Sequence, residues 1–487
     1  MRGQSDVNKP VAPNIPAATC PTDCKTAPLL FPELGVRPVV VDFNAPRVSS
    51  DGGGVLLARL DRSFGYLTRF AACFTDFRDA ESIEHSTLEL LRQRVYGIAL
   101  GYEDLNDHDT LRADPLLAAL CGKADPTGQD RLRAQDRGHA LAGKSTLNRL
   151  ELTPPDASAT ARYKKIAADA GALEDFFISE FVRSLAPDTT RVVLDLDATD
   201  DPIHGQQEGR FFHAYYGGYC YLPLYVFCGD WPVLAWLRTS DRDAAAGAVE
   251  KVAKIVAALR RKFPQVKIVL RADSGFCRDE LLRWCELHAV KYLFGLARNA
   301  VLERQLQPAL AQARAFSGQN SGAPARVFQE FTYRARKWHA PRWVIGKAEW
   351  THGQANPRFI ITNLSPLEFD ARELYEKEYC GRGNMELRIK EQQLDMFADR
   401  TSTEGMGSNQ LRLWFSTLAY LLVNQVRRVA LRGTELAVAT CGSIRLKLFK
   451  IGALVRVSVR RVSVSLSAAW PRAALLELAA LRLSGSG

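Results

Sequence analysis

No hydrophobic run in the sequence is long enough to cross a membrane. The longest mostly apolar stretch, Leu413 to Val423, has arginines close to both ends. It falls well short of the roughly 20 apolar residues that a spanning helix needs, and it is typical of a core helix. The N-terminus also lacks the apolar segment of a secretory signal peptide. We therefore expect a cytoplasmic protein without a membrane partner.

Metal-ligand cysteine patterns are absent, and acidic residues become scarce near the C-terminus. The ten cysteines have no metal-ligand spacing, which favours reduced, buried thiols. From Arg427 to Arg472 the chain carries ten basic residues and a single acid, Glu435. The formal net charge of the whole chain is +10. Such a charge favours an anionic partner, most commonly nucleic acid.

Two predicted strands end in carboxylates. Apolar residues alternate from Arg191 to Asp201, which is the period of a strand, and Asp195 and Asp197 share the other face. A second apolar strand, Val266 to Phe276, reaches Asp273 near its end. Ionised carboxylates on one strand face are costly to bury without a cation. We prefer Asp197 as the functional acid because it lies nearer the strand end, and Asp195 is the alternative.

A third carboxylate lies on a predicted helix. Tyr379, Arg382 and Glu386 are spaced by three and then four residues, which places them on one helix face. Two strand aspartates and a helix glutamate suit hard divalent cations such as Mg²⁺, which bind carboxylate oxygens, water and phosphate. A pair of these ions can activate an attacking oxygen and stabilise a leaving one in phosphodiester chemistry.

These three segments together resemble the catalytic boxes of DDE insertion-sequence transposases. The resemblance is to DDE domain group 1, which has a tyrosine-arginine-glutamate signature in its last box. The matching residues are Asp197-Ala-Thr199, Arg271-Ala-Asp273 and Tyr379-x-x-Arg382-x-x-x-Glu386. The resemblance runs from about Gly52 to about Leu466. Family members often have a lysine seven residues after the glutamate, where this chain has Gln393; Lys390 is the alternative.

The resemblance implies a function and a set of partners. Asp197, Asp273 and Glu386 would be the catalytic residues and the ligands of Mg²⁺, with Mn²⁺ as a substitute. The implied reaction is a nick at the element end by a metal-activated water, followed by attack of the freed 3′ hydroxyl on another phosphodiester, in a cut-and-paste transposition. The implied partners are double-stranded DNA, as terminal inverted repeats and target, and a second copy of the chain in a synaptic complex. The implied location is the bacterial cytoplasm, with association to the nucleoid when bound to DNA.

Twelve residues are predicted to contact DNA. Three lie in the glutamate box, three in a stretch that resembles a recognition helix, Ala142 to Glu151, and six in the basic C-terminal region. An amphipathic surface helix and a charge-protected sheet edge are the structural alternatives for the last two groups. The predicted contacts are Tyr379, Arg382, Lys390, Lys144, Asn148, Arg149, Arg445, Lys447, Lys450, Arg456, Arg460 and Arg461.

The element pattern predicts an α/β fold. Three antiparallel strands, a helix, a strand, a helix and a strand give a ribonuclease-H-like mixed sheet as the catalytic core, with a β-strand insertion, preceded by a helical DNA-binding domain. The predicted segments are a disordered tail (1–50), a helical DNA-end-binding domain (51–158), the first part of the core (159–317), the β-strand insertion (318–364), the second part of the core with the glutamate helix (365–430), and a basic region for DNA contact or dimerisation (431–487).

Other functions fit parts of the sequence. A ribonuclease-H-like nuclease would cut without rejoining, and a non-catalytic DNA-binding descendant would have lost a carboxylate. Gly138 to Ser145 also satisfies the phosphate-loop pattern G-x-x-x-x-G-K-[ST]. That motif requires a buried apolar strand before the loop, and Arg131 to Arg137 is too charged for one. We interpret this match as coincidental.

Overall fold

The computed structural model describes residues 28–34 and 37–485. These residues belong to two units, 1–47 and 48–487. In the described part of the first unit, strands β1 (Leu29–Phe31) and β2 (Val39–Val41) pair antiparallel. The run of three valines, Val39 to Val41, is typical of a strand and forms β2. The predicted disordered tail, residues 1–50, lies largely outside the described residues.

The second unit contains helices at its N-terminal end, a large sheet in its middle and a long closing helix. Its helices are α1 (Val55–Phe64), α2 (Tyr66–Ala71), α3 (Thr87–Leu100), α4 (His108–Leu111), α5 (Pro115–Cys121), α6 (Lys144–Glu151), α7 (Ala170–Ser184), α8 (Ala248–Lys262), α9 (Asp279–Leu287), α10 (Ala300–Gln319), α11 (Ala371–Glu373), α12 (Gly383–Lys390), α13 (Met406–Gln425), α14 (Cys441–Ile444) and α15 (Ala473–Ser484). Within the described residues, every helix is too short or too polar to cross a membrane.

The strands of this unit form one large sheet and several small ones. They are β3 (Val48–Ser49), β4 (Phe74–Asp76), β5 (Ile166–Ala168), β6 (Arg191–Ala198), β7 (Asp201–Pro202), β8 (Phe211–His213), β9 (Gly218–Tyr221), β10 (Leu224–Cys228), β11 (Trp231–Trp236), β12 (Lys267–Ala272), β13 (Lys291–Leu296), β14 (Ala325–Tyr333), β15 (Arg342–Thr351), β16 (Gln354–Ala355), β17 (Arg358–Thr362), β18 (Ala453–Val457) and β19 (Val462–Leu466).

The large sheet is mixed and has nine strands. Its order is β11-β10-β6-β12-β13-β17-β15-β14, with β16 paired to β15. β6 lies inside the sheet, antiparallel to β10 and parallel to β12, and β13 runs parallel to β12. Val192, Leu194 and Leu196 of β6 are almost completely buried, as their alternation predicts. Within the large sheet, the strands and helices from β6 to β13 follow the predicted order of three antiparallel strands, helix, strand, helix and strand. Between β6 and β10 the chain also forms β7, β8 and β9, which belong to a separate small sheet.

The strands predicted between residues 318 and 364 extend this sheet. β17 pairs antiparallel with β13, and β15 then pairs with β17 and β14. Their strand pattern identified them, but sequence periodicity does not show which strand will be the neighbour. Trp338 is buried, and Trp343 and Trp350 pack partly buried against the hydrophobic core. Packing inside the protein therefore covers most of the surface of these three tryptophans.

The long apolar run is the core of α13. Fifteen of the twenty residues of α13 are buried. This helix contacts both α3 and β11. A helix with apolar residues on all sides is typical of a core position, so the prediction from the sequence is confirmed.

The alternating residues from Val455 to Leu466 predict a single half-buried strand, and this prediction was wrong. The run Val455 to Leu466 is a hairpin of β18 and β19, not a single strand. The chain turns at Ser458, whose hydroxyl accepts a hydrogen bond from the Arg461 amide at 3.2 Å. Serine turns of this kind compete with the extended conformation even within an alternating pattern.

Candidate active site

The ends of β6 and β12 bring two aspartates to the same edge of the sheet. These strands are parallel, and Leu196 lies opposite Ala272. Asp197 and Asp273 follow those two residues, so both emerge at the carboxyl ends of neighbouring strands. The Asp273 carboxylate also accepts a hydrogen bond from the Gly275 amide at 2.9 Å, which fixes the turn after β12.

A continuous helical segment, Ala371 to Asp395, carries the third box. Its α-helical, π-helical and 3₁₀ turns join without a break. Arg382 Nη2 donates a hydrogen bond to Glu386 Oε1 at 3.0 Å. Arg382 Nη1 lies 3.8 Å from Asp197 Oδ2. The guanidinium therefore connects the helix carboxylate to the strand carboxylate.

Arg271 holds this helical segment against the sheet. Its Nε and Nη2 donate to the two carboxylate oxygens of Asp195 at 2.6 and 2.7 Å. Its Nη1 donates to the Glu378 carbonyl oxygen at 2.6 Å. Asp195 is 2% exposed, and both of its oxygens are occupied by this bidentate pair. The geometry therefore favours Asp197 over Asp195 as the functional acid.

Two glycines allow the helical segment to approach closely. A β-carbon at Gly381 would lie 2.7 Å from Arg271 Nη1. A β-carbon at Gly295 of β13 would lie 2.7 Å from Tyr379 Oη and 2.9 Å from the Ser274 amide nitrogen. Because Gly295 has no side chain, the Tyr379 hydroxyl can lie beside the turn that carries Asp273.

Burial and neighbouring negative charges disfavour the ionised form of Asp197. Burial raises the pKa of Asp197 from 3.8 to about 7. The Arg382 charge opposes this rise, and the charges of Asp273 and Glu386 add to it. Burial also raises the pKa of Tyr379, so its phenol stays protonated at neutral pH. Asp273 and Glu386 are therefore close enough to Asp197 to disfavour its ionised form.

The donor chemistry of the site fits a hard divalent cation. Asp197, Asp273 and Glu386 offer carboxylate oxygens only, which is the ligand type that Mg²⁺ and Mn²⁺ prefer. Over the described parts of the chain, no three His, Cys, Asp or Glu side chains lie close enough together to hold a metal ion. Glu386 is exposed and hydrogen-bonded to Arg382, so it would have to leave that arginine to join the aspartates.

The two candidates for the family lysine have different surroundings. Lys390 is exposed, and no described residue forms a hydrogen bond or ion pair with it. Gln393 is half-buried and donates to the Asp200 carbonyl oxygen at 3.1 Å. Gln393 therefore ties the helical segment to the chain just after Asp197, whereas the Lys390 ammonium is available to a ligand.

The predicted C-terminal DNA contacts divide into two groups. Arg445 donates to the Ala99 carbonyl oxygen at 3.0 Å and to the Asp395 carbonyl oxygen, which occupies its guanidinium inside the protein. Lys450 is paired with Asp51 at 2.8 Å. The exposed members, which have no ion-pair partner among the described residues, are Lys447, Arg456, Arg460 and Arg461.

The predicted recognition helix is α6. Asn148 and Arg149 are exposed on it, and the Arg149 guanidinium lies 5.0 Å from the centre of the Tyr163 ring. Lys144 Nζ instead donates to Asn106 Oδ1 at 3.2 Å. In the described residues 131–143 there is a short 3₁₀ turn but no strand. The phosphate-loop pattern therefore lacks both its strand and a free lysine.

The aromatic residues from Phe211 to Gly229 predict one strand, whereas the structure forms a separate hairpin of β8 and β9 beside the site. β8 and β9 pair antiparallel, and Phe212 and Tyr215 in this hairpin are 59% and 85% exposed. The hydroxyl of Tyr216 donates to the Ala198 carbonyl oxygen at 3.5 Å, next to Asp197. The signal was available in Phe211-Phe-His-Ala-Tyr-Tyr216, a run too aromatic and too short to bury both of its faces.

The fold and the site together define a mixed α/β protein with an acidic site at the edge of a large sheet. The family model for the transposase DDE domain group 1 matches residues 31–486, so the chain belongs to that family. The chain is also similar to a solved structure, the cryo-EM structure of a piggyBac transposase synaptic complex with hairpin DNA. The identity is 10%, the TM-score is 0.40, and the match covers 81% of this chain and 79% of that one. No curated protein sequence matches the chain.

Proposed function

We propose that this protein is a cut-and-paste transposase, which cleaves DNA at the ends of its element and transfers the freed strands to a target. Asp197, Asp273 and Glu386 act as its catalytic carboxylates. The observation that carries this proposal is the convergence of the three family boxes, with Arg382 lying between Asp197 and Glu386. The strand order β11-β10-β6-β12-β13 supports a ribonuclease-H-like core.

The three carboxylates would hold divalent cations, Mg²⁺ or Mn²⁺. When bound, these ions would supply Lewis-acid stabilisation of charge at the reacting phosphodiester. Asp197 must be deprotonated to act as a ligand, and its raised pKa means that it loses its proton near neutral pH. The hydrogen bond between Glu386 and Arg382 must also break for the carboxylate to turn toward the aspartates.

Arg382 has a second role in this proposal. Its Nη1 is buried and has no hydrogen-bond acceptor among the described residues. Once Glu386 turns away, the guanidinium can donate two parallel hydrogen bonds to a phosphate of the scissile strand. Tyr379, protonated at neutral pH, can donate to a neighbouring phosphate oxygen, and Lys390 adds an exposed positive charge on the same helical segment.

The remaining DNA contacts are assigned by exposure. Lys447, Arg456, Arg460 and Arg461 present positive charge without internal partners, and such side chains contact phosphates. Arg445 and Lys450 are engaged inside the protein, and we leave them out of the proposed contact surface. Asn148 and Arg149 of α6 belong to the region proposed to bind the element ends, in a dimeric complex of two active subunits at the bacterial nucleoid.

The experiment compares the protein with a Glu386→Gln variant on a labelled duplex that carries the element ends, with Mg²⁺ present. We expect nicking at the end followed by strand transfer with the unchanged protein, and neither with Glu386→Gln. Glu373→Gln is the matched control, because Glu373 is an exposed glutamate of the same helical segment that is paired with Lys377.

Three results would change the proposal. Cleavage without strand transfer would make the protein a nuclease. DNA-end binding without cleavage by either protein would indicate a binding role alone. Cleavage that survives in Glu386→Gln would show that another carboxylate completes the site.

A further inference from the structure

A cavity of about 510 Å³ opens in the N-terminal helical region, outside the candidate active site. Among the described residues that line it, none is one of the three carboxylates of that site. Its walls come from the turn before α3, the start of α6 and the segment around Tyr163 and Lys165. This volume is in the range of pockets that hold small organic ligands, and it exceeds what a single phosphate group needs.

The cavity has an excess of positive charge that the protein does not neutralise. Six basic side chains line it, against three acidic ones. Each acid already has a cation: Glu84 pairs with Arg131 at 3.0 Å, Asp136 lies 3.8 Å from the same arginine, and Asp109 pairs with Lys144 at 3.4 Å. The lining cations with no hydrogen-bond or ion-pair partner among the described residues are Arg112, Arg133, Arg149 and Lys165.

Arg112 is the most informative of these cations. Its Nε is shielded from solvent and has no acceptor in the described structure. A guanidinium nitrogen hidden from water without an acceptor costs free energy. An anion in the cavity that binds the Nη atoms of the same guanidinium would offset this cost by its charge.

The start of α6 adds donors to the same wall. Ser145 and Thr146 line the cavity at the first turn of this helix, where the Lys144 amide donates to Asp109 Oδ1 at 2.9 Å and the Thr146 amide donates to the Gly143 carbonyl oxygen at 3.1 Å. The Ser145 amide and the helix dipole remain available to a phosphate. The hydroxyl groups of both residues have no other described hydrogen-bond partner.

An aromatic ring lies at the same cavity. Tyr163 lines it and is 54% exposed. The guanidinium groups of Arg149 and Arg162 lie 5.0 and 4.8 Å from the centre of this ring. Aromatic rings and guanidinium planes are the surfaces on which nucleic-acid bases stack.

We propose that this cavity binds a nucleoside phosphate, with the phosphate at Arg112, Ser145 and Thr146 and the base at the platform of Tyr163 and Arg149. A duplex is too wide to enter it, so the ligand is either a free nucleotide or one unpaired nucleotide of a DNA strand. Binding of an unpaired DNA nucleotide would extend the proposed transposase function and rests on it. Binding of a free nucleotide is independent of that function.

Calorimetric titration of the full chain distinguishes these sources. The probes are dAMP, inorganic phosphate, a blunt duplex, and the same duplex with one unpaired 5′-phosphorylated nucleotide. Arg112→Ala removes the shielded guanidinium and breaks no ion pair. Arg137→Ala is the control of equal charge, since Arg137 is exposed and lies outside the cavity wall. A thermal melt of each variant verifies folding.

We expect Arg112→Ala to weaken nucleotide binding by about tenfold or more, as loss of a charge-assisted hydrogen bond does, and Arg137→Ala to leave it unchanged. If dAMP binds, and Arg112→Ala weakens that binding while Arg137→Ala does not, the ligand is a free nucleotide. If dAMP does not bind, a preference for the unpaired nucleotide over the blunt duplex that is lost in Arg112→Ala identifies a strand nucleotide.

Two results would overturn the proposal. One is equal binding of dAMP and inorganic phosphate, which would leave a phosphate site without base recognition. The other is an equal response of Arg112→Ala and Arg137→Ala to every probe. These titrations measure binding and not cleavage, so failure of the cavity proposal and failure of the proposed catalysis are separate results.

Discussion

Asp197→Asn should make the metal-free protein more stable at pH 8, although it removes a carboxylate proposed to be catalytic. The pKa of Asp197 is raised from 3.8 to about 7, above all by burial. The folded protein therefore holds this proton more tightly than the unfolded chain does, and its stability falls as the pH rises from about 4 to about 7. About three pKa units at 1.4 kcal/mol each amount to about 4 kcal/mol. Asparagine resembles the neutral acid and avoids this cost.

The assay is urea denaturation with a chelator at pH 8 and pH 4.5. We expect Asp197→Asn to raise the free energy of unfolding by up to about 4 kcal/mol at pH 8 and by only about 1 kcal/mol at pH 4.5, where the folded acid is protonated. Added Mg²⁺ at pH 8 should stabilise the unchanged protein by mass action and have little effect on the variant.

Asp195→Asn is the matched control, two residues earlier on the same face of β6. Its carboxylate is paired bidentately with Arg271, so its loss leaves a buried guanidinium without a counter-charge. Removing one partner of such a pair costs about 3–5 kcal/mol, and the expected change at pH 8 therefore has the opposite sign. A lower free energy of unfolding for Asp197→Asn at pH 8, or an equal increase in that free energy at pH 8 and pH 4.5, would refute this prediction.

Three further predictions concern the packing at Gly295, the proposed DNA surface and the binding of metal. Gly295→Ala should destabilise the protein by about 1–3 kcal/mol in urea denaturation, because its β-carbon would collide with Tyr379 and with backbone; an unchanged midpoint would contradict this. Arg460→Ala combined with Arg461→Ala should reduce the slope of log K against log [salt] for duplex DNA by about 2, and an unaltered slope would remove both from the DNA surface. The Mg²⁺ affinity measured by calorimetry should fall about tenfold per pH unit below pH 7, since Asp197 must lose its proton to bind the ion. An affinity that stays constant from pH 5 to pH 8 would argue against Asp197 as a ligand.

The sequence predicted the elements of the core better than their surroundings. Apolar residues located β6 and β12 in the sequence. That these strands are parallel neighbours, which brings Asp197 and Asp273 to one sheet edge, was expected from the ribonuclease-H-like strand order and not from periodicity. Family resemblance supplied Glu386, which no periodicity connects to the sheet. The family assignment is confirmed across nearly the whole chain.

Tertiary contacts were beyond the reach of the sequence pattern. Arg271 and Asp195 are 76 residues apart, and only the register of β6 against β12 shows that they lie opposite each other. Asp195 was the alternative functional acid in the sequence prediction, and this register shows that it is instead the partner of Arg271. The burial of Arg445 also depends on contacts with two distant carbonyl groups, whereas its place in a basic run suggested an exposed contact with DNA.

The most direct test of the account is the metal dependence of strand transfer by Asp197→Cys. Thiolate is a poor ligand for Mg²⁺ and a better one for softer ions such as Mn²⁺. If Asp197 holds a catalytic cation, the variant should be inactive with Mg²⁺ and regain part of its cleavage and strand transfer with Mn²⁺, while the unchanged protein works with both. Activity equal to that of the unchanged protein in Mg²⁺, or inactivity with both metals despite intact folding and DNA binding, would contradict the account.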